Sequence, residues 1–246
     1  MSKQFWKGSA LLAPVPAALV TCGTLEKPNV LTIGWTGIVC TRPPMTYISV
    51  RPERFSHDII KNSGEFVINL TTSAMVKEVD FCGVKSGKDT DKFAVCGFTP
   101  SPAQKVSVPI IEECPVSLEC RVTESKLLGS HTMFLAEIVG IDVDEKYIDS
   151  KGKLNLQQCG LAAYAHGEYF ALGRKLGDFG YSVRKKNLYK ARSIALFFAF
   201  DDIMNSIIII KGEGHEEICS NYLSYYGAFD GALFYALILR RRGCVG

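Results

Sequence analysis

The sequence contains no G-x-G-x-x-G, no Walker A loop, no H-E-x-x-H, no G-x-S-x-G and no paired C-x-x-C. These absences remove the usual marks of a Rossmann unit, a P-loop, a zinc hydrolase, an α/β-hydrolase elbow and a paired-cysteine site. Charge of one sign is also scarce. Lys and Arg number 28 against 25 Asp and Glu, a net +3, and the basic residues are scattered; nucleic-acid binding needs them gathered on one face. No apolar run reaches the ~20 residues of a membrane span. The opening MSKQFWKGSALLAPVPAAL is interrupted by Pro14 and Pro16 and reads poorly as a signal peptide or a span. Nine cysteines are spread over 246 residues without disulfide-framework spacing, which predicts reduced thiols in a cytoplasmic protein.

What is present is the composition of a soluble globular protein, 47% hydrophobic and 22% charged, long enough for one substantial core or two small domains. Much of the chain can be arranged around Asn29 to Leu70. Val30, Ile33, Ile38, Tyr47, Ile48 and Val50 give strand character, and Pro43-Pro44 marks a connection between two strands. A short helix follows, with Ser56 as N-cap, Asp58 near its positive end, Ile59 and Ile60 as anchors and Gly64 as its stop. Phe66 to Leu70 is the next strand. Arg51 and Arg54 lie just before the helix, whose first amides favour an anion. Two readings stay open there: Ser56 caps the helix beside solvated arginines, or all three groups meet a phosphate.

Ala17 to Thr21 is an almost unbroken apolar run, as in a strand buried on both faces. Thr71-Thr72-Ser73 opens a helix to about Val84, and Asp89 or Asp91 caps a second, carrying Lys92 and Phe93 and stopping near Gly97. Phe98 to Glu113 is a proline-rich loop. From Val116 the sequence alternates, with Val116, Leu118, Cys120 and Val122 on one side and Ser117, Glu119, Arg121 and Thr123 on the other. That pattern predicts a half-buried strand to Leu128, turned by Gly129-Ser130 into a partner from His131 to Asp144.

Six ordered segments carry a resemblance: PVPAALVTCGT, NVLTIGWTG, SVRPERFSHDIIKNSGEFVINL, SGKDTDKF, GSHTMFLAEIVG and GEYFALGRKLG. From about Phe5 to Lys186 the chain resembles the flavin reductase-like family of FMN-binding split β-barrels, and within it flavoredoxin-type proteins. The resemblance implies a mainly β fold with a few helices, a homodimer, and FMN held by Asn29, Thr32, Trp35, Thr36, Arg51, Ser56, Lys92, His131 and Tyr164. Outside the resemblance five of them have a plainer reading: Asn29 as a turn residue, Trp35 as packing, Lys92 as a solvated partner of Asp89 or Asp91, His131 as a structural imidazole, and Tyr164 as core or interface.

The expected organisation is a split-barrel domain over 1–186 and an unassigned C-terminal extension over 187–246. In the extension, Leu196 to Phe200, Ile207 to Ile210 and Gly231 to Leu239 are apolar, and Arg240 to Arg242 suit a helix end or a membrane surface. The expected function is an FMN-dependent oxidoreductase with NADH or NADPH as reductant, or else an electron carrier serving a redox protein partner; a module that has lost its cofactor is the third reading. A split barrel can use a nicotinamide without a Rossmann motif. No side chain needs a catalytic proton or nucleophile role, because the flavin carries the electrons, and no metal is expected.

Overall fold

In the computed structural model, residues 1–184 are described. The chain opens with β1 (Val15–Pro16), β2 (Ala18–Gly23), β3 (Pro28–Ile33), β4 (Thr36–Thr41) and β5 (Pro44–Val50). Helix α1 (Phe55–Ser63) leads into β6 (Glu65–Leu70), followed by α2 (Val76–Val84) and α3 (Lys92–Cys96). The short pair β7 (Pro100–Ser101) and β8 (Ile110–Ile111) precedes the long hairpin β9 (Val116–Leu128) and β10 (His131–Val143), and β11 (Ala162–Ala165) and β12 (Glu168–Ala171) come last. Met1–Leu176 folds as one unit. The expected boundary at 186, and the apolar runs beyond it, lie outside the described residues.

Seven strands form one sheet in the order β3-β2-β6-β9-β10-β5-β4. Its two edges, β3 and β4, are joined in the chain by Gly34 and Trp35 alone. Two residues span at most ~7 Å, so the sheet curls until the end of β3 lies beside the start of β4; β3 then comes up against β5 without pairing to it, and the barrel is split at that seam. Inside it pack Val20, Leu31, Ile48, Ile60, Phe66, Ile68, Cys120 and Phe134. Leu19 and Val30 point the other way, onto Val79, Cys82, Phe93 and Ile111. Strand β2 is thus buried on both faces, as its unbroken apolar run predicts.

The hairpin begins and turns where the alternation places it, with Gly129 at φ 59°, the left-handed region that a glycine adopts without strain. One expectation is corrected. Ser117 and Glu119, on the polar side of the pattern, are buried. The segment after α3 folds over that side: Glu119 accepts the amides of Gln104, Lys105 and Val106 at 3.0, 2.6 and 3.0 Å. The Ser117 hydroxyl donates to Asn69 Oδ1 at 2.7 Å.

Beside Glu119, one oxygen of Asp142 is buried with no donor to meet it when the carboxyl is ionised, and only a proton lets it bond to the neighbouring carboxylate. Burial, then the hydrogen bond and charge of Glu119, push the Asp142 carboxyl up to about 6 from its ordinary 3.8. Because the folded chain holds this proton more tightly than the unfolded one, the associated stability is complete below about pH 3.8 and is lost as pH rises through about 6. Urea titrations are expected to show a loss of about 1–2 kcal/mol between pH 4 and 7, after allowance for solvent screening. Asp142→Asn, which keeps a donor toward Glu119, should flatten that dependence; an unchanged slope would refute the assignment.

Candidate functional site

The split of the barrel leaves a cavity of about 360 Å³ along its seam. Leu31, Thr32 and Ile33 of β3 form one wall with Gly34 and Trp35, and Ser49, Val50 and Arg51 at the end of β5 face them. Asp80, Gly83 and Val84 of α2 close one side; His131, Tyr164 and Tyr169 also line the cavity. Two glycines allow these elements to approach. A Cβ at Gly34 would lie 3.3 Å from Val15 Cγ2, and one at Gly83 would lie 3.3 Å from Thr32 Cβ. The Thr32 hydroxyl bonds to the Val79 carbonyl, holding α2 against β3.

The lining is both aromatic and cationic. The rings of Trp35 and His131 lie 4.4 Å apart at 34°, and Trp35 remains 45% exposed, so the pair presents flat surface to an incoming ligand. Partial burial, then the Arg51 guanidinium, lowers the His131 pKa below 6.5, which keeps the imidazole neutral at pH 7. Arg54 also lines the cavity and donates from Nη1 to the Gly83 carbonyl at 3.0 Å. Tyr164 and Tyr169 meet edge-on at 5.3 Å. The Tyr169 hydroxyl donates to Asp80 at 3.2 Å, and burial and that carboxylate push the phenol up to about 12, so it stays a donor.

Of the residues expected to bind a cofactor, the cavity gathers Thr32, Trp35, Arg51, His131 and Tyr164. Asn29, Ser56 and Lys92 instead occupy a buried polar layer. Asn29 Nδ2 donates to Ser56 Oγ at 2.7 Å and to Cys22 Sγ at 3.2 Å. A Cβ on Gly87 would fall 1.9 Å from Asn29 Oδ1, so the loop after α2 closes over this amide with room only for glycine. Ser56 is not the N-cap of α1. Arg54 holds that position with extended backbone, and the Ser56 hydroxyl sits inside the first turn, where it meets Asn29. Asp58 in the first turn and Gly64 at φ 69° take the places expected of them.

Lys92 is neither solvated nor paired with Asp89 or Asp91. It is 4% exposed and donates from Nζ to the carbonyls of Val30 and Cys82 at 2.7 and 2.9 Å. Thr36, on β4, donates to the Tyr47 carbonyl at 2.6 Å. Asp80, Gly83 and Tyr169 line the cavity although no motif marks them; the local signal was spacing alone, since Asp80 and Gly83 stand three positions apart and share one face of α2. Among the described residues, no cluster of His, Cys, Asp and Glu is suited to a metal ion, and no helix is long and apolar enough to cross a membrane.

Residues 11–173 match the family model described as Flavin reductase like domain. The chain belongs to that family. Within it, an uncharacterized protein of Pyrococcus abyssi is 31% identical over 170 residues, covering 69% of this chain and 97% of that relative. The flavoredoxin of Desulfovibrio vulgaris (Miyazaki F) superposes with a TM-score of 0.69 at 29% identity, over 74% of this chain and 100% of the flavoredoxin. An FMN-binding protein of Thermus thermophilus shares the fold, with a TM-score of 0.61 at 22% identity over 72% and 97% of the two chains. The split barrel is therefore the flavin reductase-like fold, and the cavity lies within the matched residues.

Proposed function

We propose that this chain is a flavoprotein oxidoreductase that holds FMN in the seam cavity. The observation that carries the reading is the juxtaposition, at one cavity of about 360 Å³, of the Trp35–His131 pair with the guanidinium groups of Arg51 and Arg54. The residues fit the cofactor. Cofactor sites fall in the range of ~300–1,000 Å³ with mostly apolar linings and a few convergent polar groups. Arg51 and Arg54 match a phosphate in charge and fork geometry. Trp35, Tyr164 and Tyr169 supply aromatic surface, and neutral His131 adds a polar ring without a further cation. Thr36 and the Asn29–Ser56–Lys92 layer enter the reading as groups that hold the cavity walls in place. Bound FMN would supply the electron or hydride transfer.

Family membership and the fold shared with an FMN-binding protein support FMN in particular. Purified protein is expected to be yellow and to release FMN on heating. Release of FAD, or a colourless protein that takes up no added FMN, refutes the reading. Anaerobic mixing with NADH or NADPH separates its two forms: rapid bleaching of the visible flavin band marks a reductase. Bleaching by dithionite alone marks a carrier reduced by a protein partner, the second form, which the likeness to a flavoredoxin keeps beside the first. The reading includes a homodimer, supported by the 64% and 53% exposure of Ile38 and Val39 on edge strand β4; light scattering should give twice the monomer mass.

A further inference from the structure

The sulfur atoms of Cys82 and Cys96 lie 3.7 Å apart, although fourteen positions separate the residues and no C-x-x-C spacing announces them. Cys82 sits in the last turn of α2 and is 1% exposed. Cys96 is the final residue of α3, half-buried, before Gly97 ends the helix in the left-handed conformation at φ 67°. The two helices are held together independently of the sulfurs. Lys92, the first residue of α3, donates to the Cys82 carbonyl, and Phe93 packs in the same core as Val79 and Cys82. Two thiols on separately anchored elements, in van der Waals contact and with one reachable from solvent, need little motion to reach bonding distance.

We propose that Cys82 and Cys96 are a thiol–disulfide site, oxidised by small disulfides to an intramolecular bond that fastens the end of α2 to the end of α3. The Cys96 thiolate attacks one sulfur of the small disulfide, forms a mixed disulfide and expels the first small thiolate. Cys82 then gives up its proton and attacks the Cys96 sulfur, expelling the second. The two protein thiols lose two electrons and two protons, and the oxidant leaves as two small thiols. Burial pushes the Cys82 thiol up to about 12 and raises that of Cys96, while the Lys92 ammonium beside them favours the thiolate. Exchange is therefore slow at neutral pH and accelerates with base. The site borders the cavity, because Gly83 and Val84, which follow Cys82, line it.

The test is incubation of the full-length purified protein with oxidised glutathione at about pH 7 and about pH 9, followed by alkylation and peptide mapping without reduction. The expected product is a linked Cys82–Cys96 peptide, lighter by two hydrogen atoms than its free-thiol parts. It should form faster at the higher pH and disappear with dithiothreitol. Cys96→Ser, a change at the more accessible partner, should abolish it; if that variant does not fold, the wild-type map alone decides. Recovery of both cysteines alkylated, a stable glutathione adduct on Cys96, or linkage of either to another cysteine overturns the proposal.

Discussion

Replacing Arg51 and Arg54 together by alanine is expected to weaken FMN binding by about a hundredfold or more, while riboflavin, which lacks the phosphate, loses only a few-fold. A charge-assisted hydrogen bond to a phosphate is worth about 1.5–3 kcal/mol, or roughly ten- to a hundredfold in affinity. The two arginines are near neighbours at one cavity, so their losses need not add. The single variants separate binding from support. Arg54 also donates to the Gly83 carbonyl, so Arg54→Ala should loosen the α2 wall and lower riboflavin affinity as well. Arg51→Ala removes one of the causes that lower the His131 pKa; an NMR titration of that ring should move upward toward 6.5. Equal losses of FMN and riboflavin in the Arg51→Ala protein would show that the cavity does not select a phosphate through this residue.

These arginines were legible in the sequence as cations ahead of a helix start, yet their shared cavity was not, because it forms where β3 faces the end of β5 and α2, His131 and Tyr164 close around them. What sequence reads well is local. The alternation from Val116 and the Gly129-Ser130 turn fix the hairpin, since period and turn geometry are properties of neighbouring residues. The unbroken run at Ala17 fixes a doubly buried β2 for the same reason. What it reads poorly depends on distant chain. Glu119 has the pattern of a solvent-facing strand residue and becomes buried only because residues 104–106 fold over it. Lys92 has the composition of a solvated lysine, and its burial follows from two carbonyls supplied by β3 and α2. Ser56 is of the residue type that caps helices and has an acidic residue, Asp58, just after it, but its hydroxyl instead accepts from Asn29, twenty-seven positions earlier. The site residues that came together, Thr32, Trp35, Arg51, His131 and Tyr164, sit at strand ends or next to them, where side chains can face the open seam of a barrel.

Glu119→Ala is expected to cost about 3 kcal/mol, among the largest effects of any single change in the fold. The carboxylate is 1% exposed and accepts three successive backbone amides from the segment that covers β9. Hydrogen bonds to a charged group are worth about 1.5–3 kcal/mol each, but residues 104–106 lie near the surface, where water can replace part of the loss. The midpoint of thermal unfolding should fall by roughly 6–12 °C for a domain of this size. Glu119→Gln separates shape from charge. Its amide oxygen still accepts from the loop, while the negative charge facing Asp142 is gone, so it should cost less than the alanine change and return the Asp142 carboxyl toward its ordinary range. The loss of stability between pH 4 and 7 should shrink with it. If Gln costs as much as Ala and the pH dependence persists, the Asp142 proton is held by burial alone; if Ala costs under about 1 kcal/mol, the three amides are satisfied by water and the carboxylate does not anchor the loop.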